Sequence, residues 1–159
     1  MSATPASDAL RADHRHIEEH LDPLLQALLH LTPERVREVR LHFEEIRRLA
    51  APHFEKEEGV FYPRVRSLNP ALLDQMDSEH EQTRLTERYL AELLASLPAT
   101  PDERDLTELH RLGIEFHDAV QTHIVAEEDY LLALADREIS KEEQSRLAER
   151  MGRGYVSGR

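Results

Sequence analysis

The 159-residue chain has no cysteine, five glycines and 5% aromatic residues. Without cysteine there are no disulfides, thiolate metal ligands or cysteine nucleophiles; the absence suits a reducing compartment, and a cytoplasmic location is expected. Scarce glycine and aromatics beside abundant Leu, Ala, Glu and Arg disfavour sheets and favour helices, because straight-chain residues and alanine lose least on entering a helix. No window approaches the roughly 18 apolar residues of a membrane span. The opening Met1-Ser2-Ala3-Thr4-Pro5-Ala6-Ser7-Asp8 has no basic stretch followed by an apolar one, so it does not read as a secretory signal. Positive charge is also short: 20 Lys and Arg face 32 Asp and Glu, a formal net charge of −12. Such a surface repels phosphate backbones and anionic headgroups, so neither nucleic acid nor a membrane is expected as a partner. A nucleophile triad, a phosphate-cradling glycine loop and a dinucleotide fingerprint are all missing, which excludes ordinary hydrolase and dehydrogenase chemistry.

What the chain does have is ten histidines. Few packing arguments call for so many in a domain poor in aromatics, so their placement decides the reading. Punctuation predicts an all-α protein: an up-down-up-down four-helix bundle with a short fifth C-terminal helix. The first helix runs over about residues 8–30. Thr32-Pro33-Glu34 reads as an N-cap followed by proline, opening a second helix that stops at Pro63 or soon after, with a kink or lost hydrogen bond at Pro52. Asn69-Pro70 opens a third helix to about residue 96, and Leu97-Pro98-Ala99-Thr100-Pro101-Asp102 is a linker into a fourth ending near residue 135. Ser140-Lys141-Glu142-Glu143 is a capping pattern for the fifth, which Gly152-Arg153-Gly154 should end. The expected division is a disordered N-terminus over 1–7, the bundle over 8–137, the C-terminal helix over 138–153 and a frayed tail over 154–159. The fifth helix should pack outside the bundle or against another copy, making a homodimer through it one expectation.

An inward stripe alternates spacings of three and four. On the first helix it reads Leu10, His14, Ile17, Leu21, Leu24, Leu28. On the second it reads Val36, Val39, Phe43, Ile46, Ala50, His53, Glu57, Val60, and on the fourth Leu106, Leu109, Gly113, Phe116, Val120, His123, Glu127, Tyr130, Leu134. The third is less regular, but Met76, His80 and Thr83 keep the spacing. Each bundle helix thus aims an imidazole inward, and two of them add a glutamate one turn on. Residues four apart stand one above the other, about 5–6 Å between Cβ atoms, so each His-x-x-x-Glu pair can offer neighbouring ligand positions. Two buried glutamates would each cost several kcal/mol if ionised and unpaired, and no lysine or arginine lies on the stripes. Metal cations would compensate them; imidazole and carboxylate donors without sulfur suit iron, manganese or zinc. A lone inward histidine is usually a satisfied core residue. Four from four helices, with two glutamates, are not explained that way. Tyr130 is expected either to donate a hydrogen bond near the site or to pack in the core.

The segments Asp13-His14-Arg15-His16-Ile17, His53-Phe54-Glu55-Lys56-Glu57-Glu58-Gly59-Val60-Phe61-Tyr62-Pro63, Glu79-His80 and His123-Ile124-Val125-Ala126-Glu127-Glu128 resemble the bacterial hemerythrin-like (HHE cation-binding) domains over about residues 8–135. The resemblance implies a non-haem di-iron centre, two Fe ions with oxo or hydroxo bridging within the family's range and Mn or Zn as substitutes. It implies Glu57 and Glu127 as bridges, His14 and His53 completing one iron, and His80 and His123 the other. The family's oxygen carriers have a second histidine four residues away on the third helix, where this chain has Met76 and Arg84. They also space histidine and carboxylate further apart on the fourth. The set here is closer to the di-iron domain of proteins that repair iron–sulfur centres, although their cysteine-containing N-terminal domain is missing. A ferritin-like storage protein, marked by Glu-x-x-His, fits less well: no histidine has a glutamate three residues before it.

The expected function is a redox-active di-iron protein that binds or reacts with dioxygen, peroxide or nitric oxide in stress response, enzymatic if it turns over. The alternative is a metal-dependent sensor or interaction module, in which the site shifts the packing of the fifth helix. His14, His53, Glu57, His80, His123 and Glu127 should converge. His16, His30, His42, His110 and His117 should stay solvated or at the boundary, and a small rotation of the first helix would swing His20 towards the core. In a metal-free site the two carboxylates are expected to raise each other's pKa and take up protons on mild acidification.

Overall fold

A computed structural model describes residues 4–157, with side chains placed through residue 152. Among the described residues there are five long helical segments. They are α1 (Ala6–Leu29), α2 (Val36–Lys56), α3 (Pro70–Ser96), α4 (Glu103–Ala126) and α5 (Lys141–Ser157). Each of the first four packs beside its neighbour in sequence, and α1 closes the bundle against α4. No helix among the described residues is long and apolar enough to cross a membrane.

The caps follow local chemistry. Thr32 Oγ1 accepts from the backbone N–H of Arg35, and a 3₁₀ turn (Pro33–Arg35) leads into α2. Asn69 caps α3 with Pro70 in its first turn, and Asp102 and Asp105 form a reciprocal capping box on α4. Helix α2 runs unbroken through Pro52 and α1 through Pro23.

The stripes bury as expected up to the two glutamates and then change phase. A π-helical turn begins at each: Glu57–Phe61 after α2 and Glu127–Leu132 after α4. A π turn inserts one residue, so the inward positions move on by one. Phe61 and Leu131 are fully buried, whereas Val60 is half-buried and Tyr130 is 63% exposed. Tyr130 therefore neither packs in the core nor reaches the site. The second helical segment ends soon after Pro63, as expected: Pro63 lies in the first turn of a short restarted segment (Tyr62–Val65), where its missing N–H costs little, and a 3₁₀ turn (Arg66–Leu68) follows.

Two apolar clusters fill the bundle. One holds Ile17–Leu28 of α1, Val36–Ile46 of α2, Leu90 and Leu94 of α3, and the Leu109–Ile124 stretch of α4. The other holds Leu10, Phe61, Tyr62, Leu73, Met76, Leu131, Leu132 and, from α5, Leu147 and Met151. On every bundle helix the inward histidine falls between the two clusters. Gly113 permits close approach of α4 to α1: a Cβ there would meet Leu28 Cδ2 at 2.4 Å.

Two terminal expectations change. Ala6 and Ser7, expected in a disordered segment, begin α1 and are buried; Met1, Ser2 and Ala3 lie outside the described residues. Ser7 N–H and Oγ both donate to Gln144 Oε1, at 3.0 and 2.8 Å, and Gln144 Nε2 donates to the Ala135 carbonyl at 3.3 Å. That buried network ties the start of α1, the end of the fourth helix and α5 together. Helix α5 also continues through Gly152 and Gly154 rather than ending there; a glycine costs only about 1 kcal/mol in a helix and does not terminate one. Residues 158–159 of the expected tail lie outside the described residues. The apolar face of α5 is used within its own chain.

Phe43 and Phe116 meet edge to face with centroids 5.0 Å apart, both almost wholly buried. Phe43→Ala should destabilise the fold by about 3–5 kcal/mol while leaving metal content per chain unchanged, measured by denaturant unfolding and metal analysis. A loss under about 1 kcal/mol would contradict this account of the core.

Candidate metal centre

Six side chains meet in the polar layer between the apolar clusters. His14, His53, Glu57 and Glu127 form one set and Glu57, His80, His123 and Glu127 a second, with the ligand atoms of each set within 4.8 Å of one another. All six residues are buried, at 2% exposure or less. His14 Nε2 lies 3.1 Å from Glu127 Oε1 and His53 Nε2 3.2 Å from Glu57 Oε1. On the other side His80 Nε2 is 3.1 Å from both Glu57 Oε1 and His123 Nε2, and His123 Nε2 is 3.3 Å from Glu127 Oε2. Every histidine turns Nε2 inward.

Several of these atoms are near one another without being hydrogen-bonded. His14 Nε2, His53 Nε2, Glu57 Oε2 and Glu127 Oε1 are buried and find no hydrogen-bond partner. Orphaned polar atoms of this kind cost about 1–3 kcal/mol each. Two imidazole nitrogens and two carboxylate oxygens, all lacking partners and all converging, fit a cation between them. The second set has the same donor chemistry, so the six residues fit two metal ions that share both glutamates.

The sequence reading missed the shell outside these ligands. Each inward histidine donates from Nδ1 to a carboxylate: His14 to Glu128 (2.7 Å), His53 to Asp13 (3.0 Å), His80 to Glu58 (2.6 Å) and His123 to Glu79 (2.9 Å). A metal-binding histidine ordinarily has such a partner, which fixes its tautomer. The outer carboxylates are held in turn. Arg15 bonds Glu128, Lys56 Nζ bonds Asp13 at 3.1 Å, Arg84 clasps Glu58 at 2.7 and 2.9 Å, and Gln75 donates to Glu79 at 2.9 Å. Partial burial works against charge on all four, yet the bonded histidines and these partners keep their pKa values below the ordinary range, His53 leading for Asp13, His123 for Glu79, Arg84 for Glu58 and Arg15 for Glu128. The one available signal was adjacency, because each outer carboxylate is next in sequence to an inner ligand.

Tyr62 is a second omission. The π turn after Glu57 carries its ring inward, where Oη donates to Glu127 Oε2 and lies 3.1 Å from His80 Nε2. Burial, then the Glu57 and Glu127 carboxylates, push the phenol pKa well up, so Tyr62 keeps its proton. Phe54 stacks on His80 with centroids 3.8 Å apart. Of the other histidines, His16, His30 and His110 are exposed, and none joins the cluster. His117 is buried, contrary to expectation, but bonds Asp118 at 2.9 Å instead. His20 does not reach the centre; it faces His42, their Nδ1 atoms 3.1 Å apart.

A helical bundle with two overlapping buried His/Glu sets has the build of a cation-binding protein. The hemerythrin HHE cation-binding domain family matches residues 6–135, and the chain belongs to that family. It is similar to a DNA nickase from Nostoc sp. (strain PCC 7120 / SAG 25.82 / UTEX 2576), 28% identical over 141 residues. That match covers 89% of this chain and 36% of the nickase, so the chain spans about a third of the relative's length. No solved structure matches the chain.

Electrostatics without a cation differ at Glu57 from the expectation of proton uptake. Burial disfavours a charged His53, but Glu57 and Asp13 outweigh it and raise its pKa from 6.5 to about 10. His123 is likewise raised, and Glu57 is held well below the usual carboxylate range by His53 in spite of burial. The protons sit on imidazoles. A raised pKa contributes stability that is complete below the unfolded value and lost as pH rises through the folded one. Chelator-stripped protein should therefore melt at progressively lower temperature as pH rises from about 6.5 to about 10, and His53→Ala should flatten that slope. A melting temperature constant over this window would contradict the assignment.

Proposed function

We propose that this chain holds a non-haem di-iron centre that binds or reacts with dioxygen, peroxide or nitric oxide. The carrying observation is the pair of buried four-ligand sets sharing Glu57 and Glu127. In this reading His14 and His53 serve one ion, His80 and His123 the other, and the glutamates serve both. Manganese and zinc accept the same donors. Iron would supply electron transfer and open coordination positions for a small ligand. The chain does the rest: apolar clusters on both sides keep water out, Phe54 walls the His80 side, and Tyr62 holds a proton at Oη beside Glu127. The histidine that the oxygen carriers add on the third helix is replaced here by Met76 or Arg84, and fewer protein donors leave room for reaction rather than reversible carriage alone.

The nickase relative does not lend its activity to this reading. It is nearly three times as long as the matched region, and the net charge of −12 opposes a phosphate backbone. A second reading, sensing without turnover, is favoured by the placement of α5. It packs against the π turn that starts at Glu57, and Arg64 just beyond that turn pairs with Glu143 of α5. A change at the site has a direct mechanical path to that helix.

Protein from iron-supplemented cells should show an optical band that bleaches on reduction and returns with dioxygen or peroxide. Repeated peroxide consumption supports catalysis; one equivalent per centre with altered association state supports sensing. His53→Ala and His123→Ala should lose metal and about 3 kcal/mol or more of stability, the scale for stranding a buried charge. His42→Ala and His110→Ala should lose neither. Equal metal content in all four variants would sink the proposal.

A further inference from the structure

The outer carboxylates are not a set of local props. Asp13 precedes His14 on α1 but bonds His53 on α2; Glu58 follows Glu57 in the π turn that continues α2 but bonds His80 on α3. Glu79 precedes His80 on α3 but bonds His123 on α4, and Glu128 follows Glu127 in the π turn that continues α4 but bonds His14 on α1. The chain of contacts runs α1 to α2 to α3 to α4 and back to α1.

We propose that Asp13, Glu58, Glu79 and Glu128 are positioning residues forming a closed ring around the metal centre, each fixing the histidine of the neighbouring helix with Nδ1 outward and Nε2 inward. The proposal rests on the di-metal reading above. Its geometry follows from helix periodicity. Adjacent residues project about 100° apart at 3.6 per turn, so the neighbour of an inward ligand faces the next helix. One dipeptide per helix thereby supplies an inner ligand and the outer partner of another helix's ligand. An axial slip of one helix breaks such a bond on each side of it, so the ring also keys the register of the four helices. A free imidazole can protonate either nitrogen and turn about its outer torsion; a carboxylate on Nδ1 removes both freedoms before metal arrives.

Three ring members are tied to cations, Asp13 to Lys56, Glu58 to Arg84 and Glu128 to Arg15, whereas Glu79 has the neutral Gln75. Glu79→Gln therefore tests the ring without releasing a cation partner. The full chain would be titrated with zinc, a diamagnetic probe, against a chromogenic chelator, and the histidine Nδ1–H resonances recorded by proton–nitrogen correlation. Each of Asp13→Asn, Glu58→Gln, Glu79→Gln and Glu128→Gln should weaken zinc binding about 10–100-fold, while Glu87→Gln, outside the ring, leaves it unchanged. The spectra separate positioning from general damage. Glu79→Gln should shift and expose to exchange the Nδ1–H of His123, not that of its sequence neighbour His80. Asp13→Asn should act on His53 and not on His14, a second reading if the first variant does not fold. Wild-type zinc binding with unaltered affinity in all four variants, or a disturbed sequence neighbour instead of the cross-helix partner, would overturn the ring alone. Failure of the wild-type protein to bind zinc or iron would overturn the di-metal reading and the ring with it.

Discussion

The burial of Glu57 and Glu127 at the centre of the bundle governs the rest of the structure. Taking a carboxylate out of water costs several kcal/mol unless opposite charge and hydrogen bonds replace the solvent. Here four imidazoles surround the pair, and among the described residues no lysine or arginine pairs with either glutamate. With metal, the cations balance the glutamates. Without it, His53 and His123 carry the compensating protons. Either way the polar layer cannot be diluted into the apolar clusters on its two sides, which fixes the helices along their length as well as around the bundle.

The π turns belong to this arrangement. Each starts at one of the shared glutamates, and the inserted residue changes which side chains follow inward. On the α2 side it brings Tyr62 to Glu127; on the α4 side it brings Leu131 and Leu132 into the apolar cluster shared with α5. The site and the docking of the C-terminal helix thus share one backbone device, which gives the sensing alternative a physical route.

Most of the fold was legible because amphipathic periodicity is a direct record of burial. Leu10 to Leu28, Val36 to Glu57 and Leu109 to Glu127 faced inward nearly as spaced, and the six inner residues stood out as polar interruptions of apolar stripes. Periodicity fails where the period itself changes, so Tyr130 was misplaced and Tyr62 overlooked. Gly152 misled as a stop signal, because one glycine weakens a helix without ending it. The outer carboxylates were invisible for another reason: Glu58, Glu79 and Glu128 look like ordinary wet-face acids, and only the neighbouring helix gives them partners. Ser7 was likewise unreadable without Gln144 and Asp136 across the chain.

The account stands on two cations sharing two carboxylates. Native mass spectrometry of the chain purified from iron-supplemented cells, beside Glu57→Gln and Glu127→Gln, measures this most directly. Two metal ions per wild-type chain are expected, with both ions lost or reduced in either variant because each glutamate serves both positions. A wild-type chain that carries no metal, or a variant that keeps two ions, would contradict it.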